Sequence, residues 1–179
     1  MALWERLFRA LFGERVEISI ELGGGNRVEK EQIAARDKLR EICDEIIIDK
    51  RFLPRDGKTY CNIALVEICG YFECLDFVGM MANQIVEFLM DGPKKWSLSS
   101  GERAARHALK GGLAVAVKKY PGHGHVAAIY PRECEMSGSW KKLVPFLANV
   151  GRVNGIMKCS EAFPVNGGEP SYFTYGETA

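Results

Sequence analysis

The hydrophobic pattern of this 179-residue sequence changes once, at the pair Gly111 and Gly112. Before that pair, most apolar residues recur at helical spacing, and after it they form short runs separated by turns rich in glycine and proline. Strands are predicted at residues 113–117, 125–130, 143–148 and 172–175. Helices followed by short strands are typical of an α+β domain, in which helices pack against an antiparallel sheet. We therefore expect an α+β fold with N-terminal helices.

The first part of the sequence predicts separate helices. One is predicted over residues 29–47, with an inner side formed by Ile33, Leu39, Ile42, Cys43 and Ile46. Residues 61–72 are apolar on nearly every side, which predicts a helix buried within the domain. Further helices are predicted at about residues 81–90 and after Ser99, which forms a capping-box pattern with Glu102.

The N-terminal segment, residues 1–12, is amphipathic because its apolar residues share one helical face: Leu3, Trp4, Leu7, Phe8, Leu11 and Phe12. A strand at residues 16–22 and a glycine-rich turn at residues 23–26 are predicted to follow. The amphipathic helix either packs on the body of the protein or binds a membrane surface or a partner. We favour packing, because Arg6 and Arg9 are too few cations to attract the helix strongly to an anionic membrane.

Charge and composition exclude some classes of function. Lys and Arg number 24 against 23 Asp and Glu, so the chain lacks the positive field expected of a nucleic-acid-binding protein. No run approaches the roughly 18 apolar residues that span a bilayer. Residues 1–12 include Glu5 and lack a small-residue cleavage site, so no secretory signal is predicted. We expect a protein that is cytoplasmic as synthesised.

The six cysteines show neither a C-x-x-C motif nor the paired spacing of a zinc site. Most of them are expected to be reduced and structural. His123 and His125 would be only two metal ligands, with no carboxylate or cysteine motif beside them. Neither a metal ion nor another cofactor is therefore expected.

Cys61 lies where the turn at residues 56–60 leads into the buried helix. A helix N-terminus favours a thiolate through its dipole and its free N–H groups. Of the six cysteines, this one alone combines such a junction with a polar follower, Asn62. Cys61 is therefore the candidate nucleophile, with Asn62 and Tyr60 as candidate oxyanion- and substrate-binding residues.

His125 is the candidate general base, because it follows a glycine-rich turn and begins an apolar strand that would hold its ring rigidly. His123 ranks second, because it lies within the turn. Asn149 stands out as the polar residue in the run at 144–150 and is the candidate that orients the imidazole, with Asn154 in reserve.

These residues belong to strings that resemble a known family: Thr59-Tyr60-Cys61-Asn62, Met80-Met81-Ala82-Asn83-Gln84, Gly124-His125-Val126-Ala127-Ala128, Ala148-Asn149-Val150-Gly151 and Tyr172-Phe173. From about Gly57 onward the chain resembles cysteine peptidases and amidases of the CHAP/NlpC type, many of them from bacteria and phages. The resemblance implies a papain-like fold, in which a buried nucleophile helix packs on an antiparallel sheet. It also implies that residues 51–179 form a catalytic domain, with residues 1–50 as an extension packed on it.

The activity that this resemblance implies is hydrolysis of amide bonds in peptidoglycan peptides by a Cys61, His125 and Asn149 triad. Because no signal sequence is predicted, reaching the cell wall would require non-classical export or phage-type release. Two alternatives stay open. One is an intracellular cysteine peptidase or transferase, and the other is a papain-like module that binds its target without catalysis.

Overall fold

A computed structural model of the protein describes residues 27–163 and 167–176. The amphipathic helix, strand and glycine turn predicted before residue 27 lie outside the described residues. Within the described ranges the protein is α+β, with helices packed on an antiparallel sheet, as the sequence predicts.

The elements follow one another in a mainly helical and then mainly β order. The described helices are α1 (Arg27–Ile48), α2 (Cys61–Gly70), α3 (Ala82–Met90), α4 (Gly101–Leu109) and α5 (Cys159–Ala162), with a 3-10 turn at Lys50–Phe52. The described strands are β1 (Trp96–Ser99), β2 (Ala114–Tyr120), β3 (His123–Ile129), β4 (Glu135–Met136), β5 (Leu143–Val144), β6 (Phe146–Asn149), β7 (Gly155–Lys158) and β8 (Ser171–Tyr175). Six of these strands form one sheet in the order β1-β8-β2-β3-β6-β7, and β4 pairs with β5. Each of these pairings is antiparallel.

The hairpin of β2 and β3 determines where His125 lies. Tyr120 pairs with His123, so Pro121 and Gly122 form a two-residue turn, with Gly122 at a φ of 76° that suits a residue without a side chain. Strand β3 therefore begins at His123, and the expectation that His123 lies in a flexible turn is wrong. His125 is the third residue of the strand instead of its first.

Helix α2 packs against β3 through its inner side, which consists of Ala64, Leu65, Ile68 and Cys69. Burial of each large apolar side chain in this set stabilises the fold by roughly 1.5–3 kcal/mol. The outer side of α2 is open, since Ile63 is 51% exposed. The prediction of a helix buried on nearly every side is therefore wrong for this face, because the sheet covers only the opposite one.

Helix α3 approaches the hairpin at Gly124. A Cβ atom at this position would lie 2.5 Å from Oδ1 and 2.9 Å from the backbone nitrogen of Asn83. The Nδ2 group of Asn83 donates a hydrogen bond to the carbonyl of Tyr120 at 3.3 Å. Glycine is therefore needed where the N-terminus of α3 is fastened to the β2–β3 hairpin, one residue before His125.

Helix α1 joins the core through its second half, where Leu39, Ile42, Cys43 and Ile46 are buried. Ile33 is 43% exposed, so the prediction that it faces inward is wrong. The reason is that residues 27–35 are all exposed and the buried side of the helix begins at Leu39. Among the described residues, no helix is both long and apolar enough to cross a membrane.

Two predicted boundaries are corrected by the backbone. Ser100, and not Ser99, caps α4, because the Ser100 hydroxyl accepts the N–H of Arg103 at 3.2 Å while Ser99 ends β1. The strand predicted at residues 143–148 is divided at Pro145, which has no N–H for a ladder. Its two parts, β5 and β6, lie in different sheets.

Candidate active site

Cys61 is the first residue of α2, as predicted. The first hydrogen bond of the helix runs from the N–H of Ala64 to the carbonyl of Tyr60. The N–H groups of the first turn therefore have no partner within the helix and remain available to an anion or to a sulfur atom. The residue is 5% exposed, so its thiol lies just below the surface.

The backbone N–H groups of Val126, Asn62 and Cys61 itself lie close enough to the thiol of Cys61 to favour its thiolate form. Burial raises the pKa of this thiol above its ordinary value, and the three N–H groups lower it by a smaller amount. The neutral thiol is therefore the resting form at neutral pH. The N–H groups at the helix end favour the thiolate, as expected, but desolvation outweighs them.

Helix α2, which begins at Cys61, and strand β3, which contains His125, meet at Val126. Val126 follows His125 in β3, and its N–H acts on the Cys61 thiol, so the sulfur lies near the peptide group that joins the two residues. Helix α2 and strand β3 pack directly against each other along this contact. The nucleophile and base candidates are therefore neighbours in space although 64 positions separate their numbers, 61 and 125.

His125 is hydrogen-bonded to Asn149, the predicted orienting residue. The distance from His125 Nε2 to Asn149 Oδ1 is 2.8 Å, and Asn149 Nδ2 donates to the carbonyl of Val153 at 2.6 Å. The second bond fixes the orientation of the amide, since a carbonyl accepts only from the NH2 group. Oδ1 therefore faces the imidazole and requires a proton on Nε2, which leaves Nδ1 as the basic nitrogen of neutral His125.

The register of the sheet explains this contact. Strands β3 and β6 are antiparallel, with Ala128 opposite Ala148. Asn149 therefore falls on the same face as His125, one diagonal step along the sheet, a separation that an imidazole and a carboxamide can span. The position of Asn149 at the end of β6 thus follows from the strand pairing.

The imidazole of His125 is half-buried and packs against an aromatic ring. Its ring lies 4.9 Å from the ring of Phe163, centroid to centroid. Burial lowers the pKa of His125 below its ordinary value, while the hydrogen bond with Asn149 acts in the opposite direction and the nearby His123 adds a smaller lowering. The side chain is therefore neutral at pH 7, the state required of a general base.

An open groove of about 790 Å³ runs past the imidazole. It is lined by Gly57, Thr59, Tyr120, His123, Gly124, His125, Asn149, Gly151, Arg152, Val153, Met157, Glu161, Ala162 and Gly167. Cys61 does not line it, and the loop residues Gly57 and Thr59 from just before α2 do. The thiol therefore lies behind the wall of the groove that holds His125.

The reserve candidates have other partners. His123 is exposed, stacks on Tyr120 at 5.2 Å, and its Nδ1 lies 3.2 Å from the carbonyl of Pro121. Asn154 accepts the N–H of Gly151 at 3.0 Å and donates to the carbonyl of Phe52 at 3.1 Å. Asn154 therefore stabilises the loop after β6 and does not contact the imidazole.

The two residues that flank Cys61 are held by contacts of their own. Asn62 Nδ2 donates to the carbonyl of Met80 at 2.9 Å, which ties the start of α2 to the segment before α3. Tyr60 occupies the N-cap position without a capping side-chain bond, and the guanidinium of Arg55 lies 5.3 Å from the centre of its ring. The oxyanion role predicted for Asn62 thus competes with a structural bond that its amide already makes.

The other cysteines differ from Cys61 in their surroundings. Cys159 also begins a helix and is followed by a polar residue, Ser160, so the claim that Cys61 alone has these features is wrong. Cys159 is fully buried, its sulfur lies 3.3 Å from the hydroxyl of Tyr172, and burial raises its pKa to about 12. Cys134 is partly exposed. All six cysteines are free thiols in the described structure.

The sequence reasoning missed the loop that follows Asn149. A Cβ atom on Gly151 would lie 3.6 Å from Cε1 of His125 and 3.4 Å from Nδ2 of Asn149, so this loop covers the pair directly. Asn154, which lies between Gly151 and Gly155, was the available signal. Arg152 and Val153 line the groove beside Gly151.

The arrangement joins a thiol, a basic imidazole nitrogen and an orienting amide beside a groove, which are the parts needed for nucleophilic attack on a carbonyl. Among the described residues, no group of three or more His, Cys, Asp or Glu side chains is placed to hold a metal ion. No family model matches the chain, and no curated protein is similar enough to count as a relative. The function proposed below therefore rests on the geometry of Cys61, His125 and Asn149.

Proposed function

We propose that this protein is a cysteine hydrolase with a papain-like fold that cleaves amide bonds in peptidoglycan peptides. Cys61 is the nucleophile, His125 the general base and acid, and Asn149 the residue that orients the imidazole. The observation that carries the proposal is the contact of His125 Nε2 with Asn149 Oδ1, with the Cys61 sulfur at the N–H of Val126.

The chemistry requires a proton to leave the thiol as it attacks. Nδ1 of His125 accepts the proton of Cys61 while the sulfur forms a bond to the amide carbon. The imidazolium then protonates the leaving nitrogen, the C–N bond breaks, and a thioester remains on Cys61. Water attacks this thioester, with His125 first accepting a proton from the water and then returning it to the sulfur, so that the acid is released and the enzyme restored.

The N-terminus of α2 supports stabilisation of the tetrahedral intermediate. The N–H groups of Cys61 and Asn62 have no helical partner and lie close to the sulfur. A substrate oxygen beside the sulfur would accept hydrogen bonds from these two N–H groups. They would therefore act as a preformed oxyanion site. This role belongs to the backbone, and the Asn62 side chain serves to hold the helix end in place.

The substrate class is supported by the resemblance of the sequence strings to CHAP/NlpC-type enzymes. The Cys61 string begins a helix, the Gly124-His125-Val126-Ala127 string lies in an adjacent strand, and the Asn149 string ends the next strand across. In enzymes of that type the same order accompanies amide hydrolysis in cell-wall peptides.

One observation favours a second candidate, a papain-like module that binds without catalysis. Cys61 is 5% exposed and its thiol has a raised pKa, both of which oppose nucleophilic attack. A peptide chloromethyl ketone separates the two candidates. In an enzyme, the reagent should alkylate Cys61 before the more exposed Cys134. In a binding module, it should alkylate Cys134 first. Mass spectrometry identifies the modified residue.

The direct test of the proposed reaction uses purified peptidoglycan. The protein is incubated with intact sacculi, and the released fragments are identified by mass spectrometry, with heat-denatured protein as the control. We expect fragments that carry one new amine and one new carboxylate for each bond cleaved. Fragments cut only between sugars, or no fragments at all, would overturn the proposal.

A further inference from the structure

We propose that Arg152 is a substrate-binding residue that recognises a free carboxylate close to the scissile amide. The inference rests on the proposed function and deepens it. Arg152 would select peptides that carry this free carboxylate over peptides in which the carboxylate is amidated. Arg152 lines the groove that also contains His125 and Asn149.

The backbone of the loop after β6 is held by hydrogen bonds from two asparagine side chains. Asn149 Nδ2 donates to the carbonyl of Val153, and Asn154 Oδ1 accepts the N–H of Gly151 at 3.0 Å. Asn154 Nδ2 also donates to the carbonyl of Phe52, which attaches the loop to the body of the protein. These bonds fix the backbone on both sides of Arg152, beside the imidazole.

Two side chains of this loop face solvent instead of packing in the core. Val153 is 67% exposed, and Arg152 is also exposed. Arg51 illustrates the contrast, since it bridges Asp49 and Glu67, whereas Arg152 forms no ion pair with a carboxylate of the described residues. An exposed guanidinium that lines the groove without an ion-pair partner is available to a ligand.

Arg152 is the Lys or Arg residue among the described residues that line the groove. The groove-lining Gly57 has Asp56 and Lys58 as its sequence neighbours, so this part of the rim carries charges of both signs. Glu161 is the acid among the described groove residues, and its Oε2 accepts the N–H of Lys158 at 3.0 Å. Arg152 is therefore the group of the described lining that can attract an anion, while the carboxylate of Glu161 already accepts a backbone N–H.

The chemistry of the guanidinium selects the ligand group. Its planar fork donates two parallel hydrogen bonds to a carboxylate, and such bonds are stronger than those to a neutral carboxamide. A peptide chain that ends in, or branches at, a free carboxylate near the cleaved bond fits this requirement.

The test measures binding separately from turnover. The Cys61→Ala protein is titrated by calorimetry with a synthetic peptidoglycan tetrapeptide that ends in a carboxylate and with the same peptide as its C-terminal carboxamide. We expect the carboxylate form to bind at least tenfold more tightly. Adding Arg152→Gln should reduce this preference to less than twofold, and adding Arg152→Lys should leave an intermediate preference.

Arg106→Gln is the matched control, because Arg106 is an exposed arginine on α4 that lies outside the groove. It should keep the full preference. Equal affinity for the two peptides, failure of both to bind, or a preference unchanged by Arg152→Gln would overturn the inference. Hydrolysis of sacculi by wild-type protein would still support the proposed function in each of those cases, so the two failures are distinguishable.

Discussion

His125 and Asn149 face each other across strands β3 and β6, with Nε2 of the imidazole 2.8 Å from Oδ1 of the carboxamide. The bond from Asn149 Nδ2 to Val153 fixes which end of the amide meets the ring. The proton of neutral His125 is consequently held on Nε2. Nδ1 is the nitrogen left to accept a proton, and the thiol of Cys61 is held at the next peptide group of the same strand.

The first prediction compares the two histidines of β3. His125→Ala should lower the rate of peptidoglycan cleavage by about a thousandfold or more, because the members of a triad act as a unit. His123→Ala should change the rate less than about threefold, since His123 is exposed and contacts Tyr120 and Pro121. Melting curves of both variants check that the fold is kept. The reverse order of effects would assign the base to His123.

The second prediction concerns Asn149. Asn149→Ala removes the acceptor for Nε2 and should reduce kcat by roughly a hundredfold, the lower end of the range for acid–base catalysis, because the imidazole itself is kept. It also leaves the carbonyl of Val153 without its donor, which should cost about 1 kcal/mol of stability. Asn154→Ala is the control, because Asn154 supports the same loop without touching the ring. Equal losses of kcat in the two variants would show that Asn149 acts only through the loop.

The positions of these residues were predictable to different degrees. The α+β class followed from the change of periodicity at Gly111, and the start of α2 at Cys61 followed from the turn before it. The divided strand at Pro145 and the exposure of Ile33 depend on which neighbours a segment meets in three dimensions. Strand propensity and helical periodicity carry no information about those neighbours.

In the candidate site, too, some features were predictable from the sequence and others were not. Cys61, His125 and Asn149 were chosen one at a time from local patterns, and the structure brings them to one place. The raised pKa of the Cys61 thiol was missed, because a helix N-terminus is visible in the sequence whereas the burial that outweighs it is not. The role of the loop at Gly151 and Arg152 was not predicted. Gly151 lies against the ring of His125, and the sequence does not show which residues meet across the sheet.

The third prediction is a pH profile. The pKa of His125 is lowered below its ordinary value of 6.5, and that of Cys61 is raised above 9.0. Catalysis needs the neutral imidazole, so the acid limb of the kcat/KM profile should be centred below pH 6.5. Asn149→Asp places a negative charge beside the ring, which favours the imidazolium, so the acid limb should move to higher pH. A wild-type limb centred above pH 6.5, or a shift in the opposite direction, would contradict this account.

The fourth prediction tests how α3 positions the hairpin. Gly124→Ala places a Cβ atom 2.5 Å from Asn83 Oδ1 and 2.9 Å from its backbone nitrogen, so backbone must move to accommodate it. We expect a loss of about 1–3 kcal/mol and a melting temperature lower by several degrees, together with reduced kcat. Gly138→Ala is the control, because a Cβ atom there meets nothing within 4 Å. Equal melting temperatures for the two variants would contradict the close approach.

The most direct test of the central claim is the rate of peptide release from purified peptidoglycan by two cysteine variants. Cys61→Ala should lose at least about a thousandfold in rate while keeping its melting temperature within a few degrees, because the thiol contributes chemistry. Cys134→Ala, which removes a more exposed thiol, should retain wild-type activity. Near-normal release by the Cys61→Ala protein would contradict the account, since no other described cysteine is held at the peptide group that joins His125 and Val126.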